Sequence, residues 1–179
     1  LRISLNINQS DFVIGYVGRL VHDKGIDDLI EAWQQLKSNK KLKLLLVGPF
    51  EQKDSVKSST KEIILRDERI IFTDYVQDAA IYFKLMNVFI LPTYREGFPT
   101  VSLEASSMSL PVIITKATGC EEAILDNITG TFINNNHKDI EKVCCSDWRG
   151  DWSGIGNRMR KFIHMRGKTS SWAKNNINV

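Results

Sequence analysis

Four charged side chains occupy positions from which loops could present them to a ligand. Arg19 and Lys24 lie in GRLVHDKG, and Glu96 and Glu104 lie eight positions apart in REGFPTVSLEA. Two cations beside a helix N-terminus suit a diphosphate, and Gly18 lets the backbone approach such a ligand closely. A carboxylate such as Glu104 accepts hydrogen bonds from both hydroxyls of a vicinal diol such as ribose. These residues predict sites for a diphosphate and for a sugar diol.

Each pair also has a purely structural interpretation. Glu96 and Glu104 could serve as helix caps and surface charge. The first loop contains neither the dinucleotide pattern GxGxxG nor the P-loop pattern GxxxxGKS/T. Arg19 and Lys24 could pair with acidic side chains of the same loop and the next helix, namely Asp23, Asp27 and Asp28. The residue types alone leave both interpretations open.

The second loop leads into a predicted helix. The segment PTVSLEASSM predicts a helix that begins at Pro99, because proline is favoured at the first helical position. Glu96 would then lie in the mouth of a cleft, and Glu104 about two turns into the helix. Three backbone N–H groups would cluster at the helix N-terminus as an anion site, those of Phe98, Thr100 and Val101.

Six apolar runs predict the framework that positions these loops. They span residues 12–17, 42–48, 69–72, 88–92, 111–115 and 130–133, and each is nearly continuous, as expected for parallel strands buried on both faces. Amphipathic segments predict helices over residues 25–37, 55–66, 78–86, 99–108, 121–125 and 137–143, with Asp78 as an N-cap. This alternation predicts an α/β fold, a doubly wound parallel sheet of about six strands (Rossmann-like). Ligands of such sheets bind at the carboxyl ends of the strands.

Composition excludes several classes of protein. The 179 residues are 42% hydrophobic and 25% charged, which is ordinary for a globular domain with a full core. The net charge of +3 comes from scattered basic residues, so we expect no nucleic-acid partner. No run approaches the roughly 20 apolar residues of a membrane span, and no signal-peptide layout opens the chain. The cysteines, Cys120, Cys144 and Cys145, lack CxxC spacing, which argues against a disulfide framework or a zinc site and favours the cytoplasm.

Two further observations limit the expected site and the expected domain. The histidines, His22, His137 and His164, are isolated in the sequence, so no metal site is expected, and only His22 lies beside the predicted cleft. Residues 144–179 contain three of the four tryptophans and show no helix or strand period. We therefore expect a domain of residues 11–143 followed by an atypical tail, which could be a poorly ordered terminus, the product of a reading-frame change or a functional segment.

Three separated loops together resemble one family. The stretches GYVGRLVHDKG, FILPTYREGFPTVSLEASSMSLPVI and TGCEEAI…NITG, in that order, resemble the carboxyl-terminal domain of the retaining nucleotide-sugar glycosyltransferases with two Rossmann domains and an E-x7-E motif, the glycosyl transferases group 1. The likeness covers residues 11–143, and the motif is Glu96 and Glu104 with GFPTVSL between them. Many members build bacterial polysaccharides. The resemblance implies one half of a two-domain enzyme, a donor-binding domain preceded by an acceptor domain, which fits a chain that starts at Leu rather than Met.

The resemblance also implies roles for the loop residues. Arg19 and Lys24 would neutralise the donor diphosphate as the leaving group departs. Glu96 would hold donor-sugar hydroxyls or support positive charge at the anomeric carbon, and Glu104 would hold the ribose hydroxyls. The other implied donor-binding residues are Gly18, Gly97, Phe98, Thr100 and Val101 at the sugar and phosphates, and Tyr75 and Val76 at the base. No metal or other cofactor is implied, because arginine and lysine supply the positive charge.

Three functions are compatible with the sequence. The first is a hexosyltransferase whose donor domain binds a nucleoside-diphosphate sugar, expected to be a UDP-sugar, for transfer to a glycan or a polyprenyl-linked acceptor. Such an enzyme would act in the cytoplasm or at the inner face of the membrane. The second is a non-catalytic nucleotide-binding fragment or subunit that needs a separate acceptor domain. The third is a phosphate-handling fold of the flavodoxin type, in which VGR and EGF would be coincidental.

Overall fold

One parallel sheet organises the part of the chain that the computed structural model describes, residues 1–36, 41–126, 128–134 and 136–145. Within these ranges the sheet has six strands in the order β3-β2-β1-β4-β5-β6. The strands are β1 (Phe12–Val17), β2 (Leu42–Val47), β3 (Ile70–Phe72), β4 (Val88–Leu91), β5 (Val112–Thr115) and β6 (Gly130–Ile133). This order confirms the doubly wound sheet, and it differs from the flavodoxin order 2-1-3-4-5. The flavodoxin alternative is therefore wrong.

Five α-helices connect and follow the strands in the same ranges. They are α1 (Ile26–Gln34), α2 (Ser58–Arg66), α3 (Ala80–Phe83), α4 (Thr100–Ser107) and α5 (His137–Cys145), and a single 3-10 turn (His22–Lys24) precedes α1. Cys144 and Cys145 thus end α5, while the rest of the predicted tail lies outside the described residues. None of the helices described is long and apolar enough to cross a membrane.

Several predicted helix boundaries need correction. α3 has four residues, although the Asp78 carboxylate accepts a hydrogen bond from the Ala80 N–H (2.9 Å) as an N-cap would. α4 begins at Thr100 and α2 at Ser58, one and three residues later than predicted. Residues 121–125 do not form the predicted helix. There the Leu125 N–H donates to Thr129 Oγ1 (2.9 Å), which closes a turn in place of a helical hydrogen bond.

The core holds β1 and β4, which carry the loops of interest, in fixed positions. β1 pairs in parallel with β2 on one side and with β4 on the other, and almost every side chain of the three strands is buried. The apolar stripe predicted on α1 is buried in the same core cluster as the strands, with Trp33 the largest of its buried residues. Gly25 is the N-cap of this helix and has φ 68°, and a Cβ there would lie 1.9 Å from the carbonyl oxygen of Pro92. Only glycine allows this close approach of α1 to the end of β4.

Candidate functional site

The loops after β1 and β4 meet at the carboxyl edge of the sheet. The strand order reverses between these neighbouring strands, and such a reversal leaves a crevice where ligands bind in α/β proteins. The backbones of the two loops are joined directly, because the Tyr94 N–H donates to the Asp23 carbonyl (3.0 Å). The side chains of the two loops are therefore held close together at the crevice.

An ion pair between Lys24 and Glu96 stands at the centre of this crevice. Lys24 Nζ lies 2.7 Å from Glu96 Oε1, and the two side chains are only 17% and 14% exposed. The Glu96 N–H donates to the Thr118 carbonyl (3.0 Å), so the loop after β5 fixes the position of the glutamate. In that loop Gly119 has φ 81°, and a Cβ there would lie 2.1 Å from the Glu96 carbonyl oxygen. The neighbouring strands thus hold the carboxylate in place.

Two adjoining clefts share this ion pair. The helix-side cleft, about 380 Å³, lies toward α4, and the loop-side cleft, about 390 Å³, lies toward the loop after β5. Besides Lys24 and Glu96, the helix-side cleft is lined by Tyr16, Val17, Gly18, Arg19, Leu91, Phe98, Pro99, Thr100 and Val101. The loop-side cleft is lined by Asp23, Arg95, Gly97 and Thr118 in addition to the pair. Each volume falls in the range of small-molecule sites.

The predicted cations do not have the partners that the structural interpretation proposed. Arg19 Nη1 lies 2.8 Å from Glu51 Oε2, in the loop after β2, and both side chains are substantially exposed. Lys24 pairs with Glu96, from the loop after β4. The alternative interpretation, in which Arg19 and Lys24 pair with nearby aspartates, is therefore wrong. Both true partners lie far away in sequence, so no local pattern could have indicated them.

Tyr16 stabilises the loop after β1 through a hydrogen bond, a role that was not predicted from the sequence. Its side chain is fully buried, and its hydroxyl donates to the Arg19 carbonyl (2.8 Å). Burial, and then the negative charge of Glu96, raise the pKa of Tyr16, so the phenol stays protonated and remains a donor. The same two causes raise the pKa of Cys120 to about 11. Its thiol is therefore neutral near pH 7 and is not an activated nucleophile.

The N-terminus of α4 borders the helix-side cleft, but one of its predicted donors is already used. The Thr100 N–H donates to the Phe98 carbonyl (2.9 Å) across Pro99, whose φ of −81° and ψ of 71° are those of an inverse γ-turn. The prediction that the Thr100 N–H takes part in an anion site is therefore wrong for this conformation. Phe98 and Val101 line the helix-side cleft, and Phe98 is half exposed. The roles predicted for their backbone N–H groups stay predictions.

Three other predicted binding residues lie outside the lining of both clefts. Glu104 is exposed on α4, whereas Glu96 is largely buried, so the two glutamates have different surroundings. Tyr75 is 75% exposed, and its N–H donates to the Asp74 carboxylate (2.8 Å). Val76 is half-buried and packs against the core. The roles predicted for Glu104, Tyr75 and Val76 therefore stay predictions.

His22 lies beside the crevice and lines neither cleft. Its side chain contacts a buried carboxylate, that of Asp27. Its Nδ1 lies 2.9 Å from Asp27 Oδ2, and its ring stacks on Tyr94 at 5.5 Å between centroids. Asp27 Oδ1 also accepts hydrogen bonds from Thr60 Oγ1 (2.6 Å) and the Lys57 N–H (3.0 Å). The hydrogen bond to Asp27 raises the pKa of His22. Burial acts to raise the pKa of Asp27, but the hydrogen bonds outweigh it and lower that pKa.

A second group of titratable side chains lies between α1 and α5. Ligand atoms of Asp28, Glu31 and His137 all lie within 4.8 Å of one another, and His137 Nδ1 is 3.5 Å from Glu31 Oε1. The Tyr94 hydroxyl donates to Asp28. His137 is therefore less isolated than the sequence indicated, while His164 lies outside the described residues. Such partly exposed groups often cluster without a metal, and we assign no ion to them.

Comparisons with known proteins place this geometry in a family. The family described as glycosyl transferases group 1 matches residues 1–143. The capsular polysaccharide biosynthesis glycosyltransferase CapM of Staphylococcus aureus is 34% identical over 155 residues, which are 86% of this chain and 37% of CapM. The chain spans between 28% and 47% of the length of the first three curated relatives it matches. The chain therefore corresponds to less than half of each of those proteins.

Solved structures show the same fold. Anabaena Alr3699/HepE, in complex with UDP and glucose, superposes with a TM-score of 0.81 at 20% identity, covering 99% of this chain and 47% of that one. The C-terminal domain of the group 1 glycosyl transferase LpcC from Francisella tularensis superposes with a TM-score of 0.76 at 21% identity, covering 94% and 87%. The second match spans a single carboxyl-terminal domain, as the sequence analysis expected of this chain.

Proposed function

This chain belongs to the glycosyl transferases of group 1, and on that premise we propose that it is the donor-binding domain of a retaining glycosyltransferase. The domain binds a nucleoside-diphosphate sugar, and the sugar is transferred to a glycan or lipid-linked acceptor held by another domain. The observation that carries the proposal is the pair of clefts around Lys24 and Glu96 at the point where the strand order reverses. The complexes of HepE with UDP and with UDP-glucose favour uridine as the nucleoside.

The helix-side cleft suits the diphosphate. Arg19, Lys24 and the N-terminus of α4 all line it. Charge-assisted hydrogen bonds from these cations stabilise the negative charge that grows on the leaving phosphate. Because Arg19 and Lys24 already contact Glu51 and Glu96, the incoming phosphate replaces these carboxylates as the partners of the two cations.

The loop-side cleft suits the sugar. Glu96 faces both clefts, so its carboxylate accepts hydrogen bonds from the hydroxyls of a sugar whose diphosphate lies on the helix side. Glu104 and the backbone near Tyr75 and Val76 would then hold the ribose and the base, farther along the same edge of the sheet. This assignment follows the family resemblance.

Nucleotide binding without transfer is the second candidate. The chain spans less than half the length of the curated relatives named above, and the acceptor is expected to bind in the remainder. This candidate predicts that the chain alone binds the donor but turns it over only when an acceptor domain is supplied. Assays of sugar release with and without that domain distinguish the two.

Calorimetric titration with UDP, ADP and GDP tests the proposal. We expect one nucleotide to bind with a Kd of about 1 μM to 1 mM, the range common for enzyme substrates. Arg19→Ala should weaken binding about tenfold or more, because it removes a charged hydrogen-bond donor to phosphate. Arg66→Ala is the matched control, since Arg66 lies on α2 and pairs only with the exposed Glu62 among the ion pairs of the described residues. Absence of nucleotide binding by a folded sample, or equal effects of the two variants, would contradict the proposal.

A further inference from the structure

The clefts are balanced in charge before any ligand binds. Three cations line them in the described part of the chain, and each contacts a carboxylate. The pairs are Arg19 with Glu51 (2.8 Å), Lys24 with Glu96 (2.7 Å), and Arg95 with Asp23 (3.1 Å). A diphosphate therefore does not enter a positively charged pocket. It has to replace at least one carboxylate as the partner of a cation.

The three pairs differ in how easily they exchange. The side chains of Arg19 and Arg95 are 57% and 77% exposed, so water and salt screen their pairs, and separating them costs little. The pair of Lys24 and Glu96 is largely buried. Removing Lys24 from it leaves a carboxylate with little access to water, which is unfavourable unless new donors reach the carboxylate. The affinity for a ligand therefore depends on whether that ligand supplies Glu96 with new hydrogen-bond donors.

Two kinds of ligand treat Glu96 differently. A nucleoside diphosphate offers phosphate oxygens to Lys24, but those oxygens give Glu96 no hydrogen bond and repel its charge. A nucleoside-diphosphate sugar offers the same oxygens to Lys24 and also places hydroxyl donors in the loop-side cleft, which Glu96 faces. Only the second ligand compensates both members of the pair when they separate.

We propose that Glu96 is a specificity determinant that distinguishes the sugar-bearing donor from the free nucleoside diphosphate. With donor bound, Lys24 binds phosphate and Glu96 binds sugar hydroxyls. Once the sugar has been transferred, Glu96 loses these donors and binds Lys24 again, which weakens the hold on the remaining nucleoside diphosphate and favours its release. The proposal rests on the proposed function, since it assumes that the two clefts hold one nucleotide sugar.

The test compares UDP and UDP-glucose by calorimetry on wild type and Glu96→Gln. Glutamine keeps the size of the side chain but removes the charge that competes for Lys24. We expect Glu96→Gln to bind UDP about tenfold more tightly than wild type, and the preference for UDP-glucose over UDP to fall by about tenfold or more. Glu51→Gln is the matched comparison, because its pair is exposed, and its effect on UDP should be threefold or less.

The outcomes separate the two proposals. If wild type binds neither UDP nor UDP-glucose, the proposed function fails and this inference fails with it. If wild type binds both but Glu96→Gln binds UDP no more tightly, the inference alone is wrong. Should Glu96→Gln not fold, the double variant Lys24→Gln/Glu96→Gln is compared with Lys24→Gln. The double variant must then bind UDP more tightly, because it lacks the repulsive charge, and weaker or equal binding would also overturn the inference.

Discussion

Replacement of Asp27 tests whether this buried carboxylate holds the first loop against the helices. Asp27 lies in the first turn of α1 and is buried, and its two oxygens accept three hydrogen bonds. Thr60 Oγ1 and the Lys57 N–H donate to Oδ1 from the start of α2, and the half-exposed His22 contacts Oδ2. Asp27 thereby joins α1, α2 and the 3-10 turn that ends at the candidate site.

The magnitude follows from what each variant leaves without a partner. In Asp27→Ala, Thr60 and the Lys57 N–H lose an ionised acceptor, and bonds to charged groups contribute about 1.5–3 kcal/mol each. The half-exposed His22 ring can hydrogen-bond to water when Asp27 is removed, so we assign its contact a stabilisation of at most about 1 kcal/mol. The expected loss in the free energy of unfolding is therefore about 3–7 kcal/mol. In Asp27→Asn the amide oxygen still accepts from both donors, and the expected loss is about 1–2 kcal/mol.

Urea denaturation at pH 7, followed by circular dichroism, measures both losses. NMR titration of the His22 ring supplies a second reading: Asp27→Asn should lower the pKa of His22 from its raised wild-type value toward about 6.5. Stability from His22 is present below about pH 6.5 and is lost as the pH rises through its higher folded pKa. Equal losses in the two variants, or an unchanged pKa of His22, would refute the argument that Asp27 is the shared acceptor.

Two further predictions concern stability. Gly119→Ala places a Cβ at φ 81° and 2.1 Å from the Glu96 carbonyl oxygen, so it should lower the free energy of unfolding by about 2 kcal/mol or more. Gly97→Ala is the control, because a Cβ at Gly97 meets nothing within 4 Å. It should lower the free energy of unfolding by about 0.5 kcal/mol or less in the same denaturation assay. Equal costs would contradict the close approach. Burial acts to raise the pKa of Asp67, but hydrogen bonds from Arg69 outweigh it and lower that pKa, so its stabilisation is present above about pH 3.8 and is lost as the pH falls through the folded pKa. Asp67→Asn should lower stability at pH 7 by about 1–3 kcal/mol and flatten the fall in stability below pH 4; an unchanged acid limb would exclude this role.

The sequence alone determined where the strands lie along the chain and their approximate bounds. Runs such as 42–47 are apolar at nearly every position, and a strand buried on both faces needs this composition whatever its neighbours are. The stripe that includes Leu29 and Trp33 likewise determined α1, because helical period and burial coincide there. Residues 121–125 were mistaken for a helix, since five residues carry too little pattern and a hydrogen bond to Thr129 closed a turn.

The residue types of the candidate site were also present in the sequence, but their partners were not. Gly18, Arg19, Lys24 and Glu96 follow two strands, and parallel strands bring their carboxyl ends to one edge, so the meeting of these loops was predictable. The pairing of Lys24 with Glu96 was decided only by the tertiary structure. An ion pair between loops 72 positions apart depends on the order of the strands and the direction of each side chain, and local spacing specifies neither. The three donors that meet at Asp27 could not be predicted for the same reason, because two of them lie about 30 positions away in the sequence.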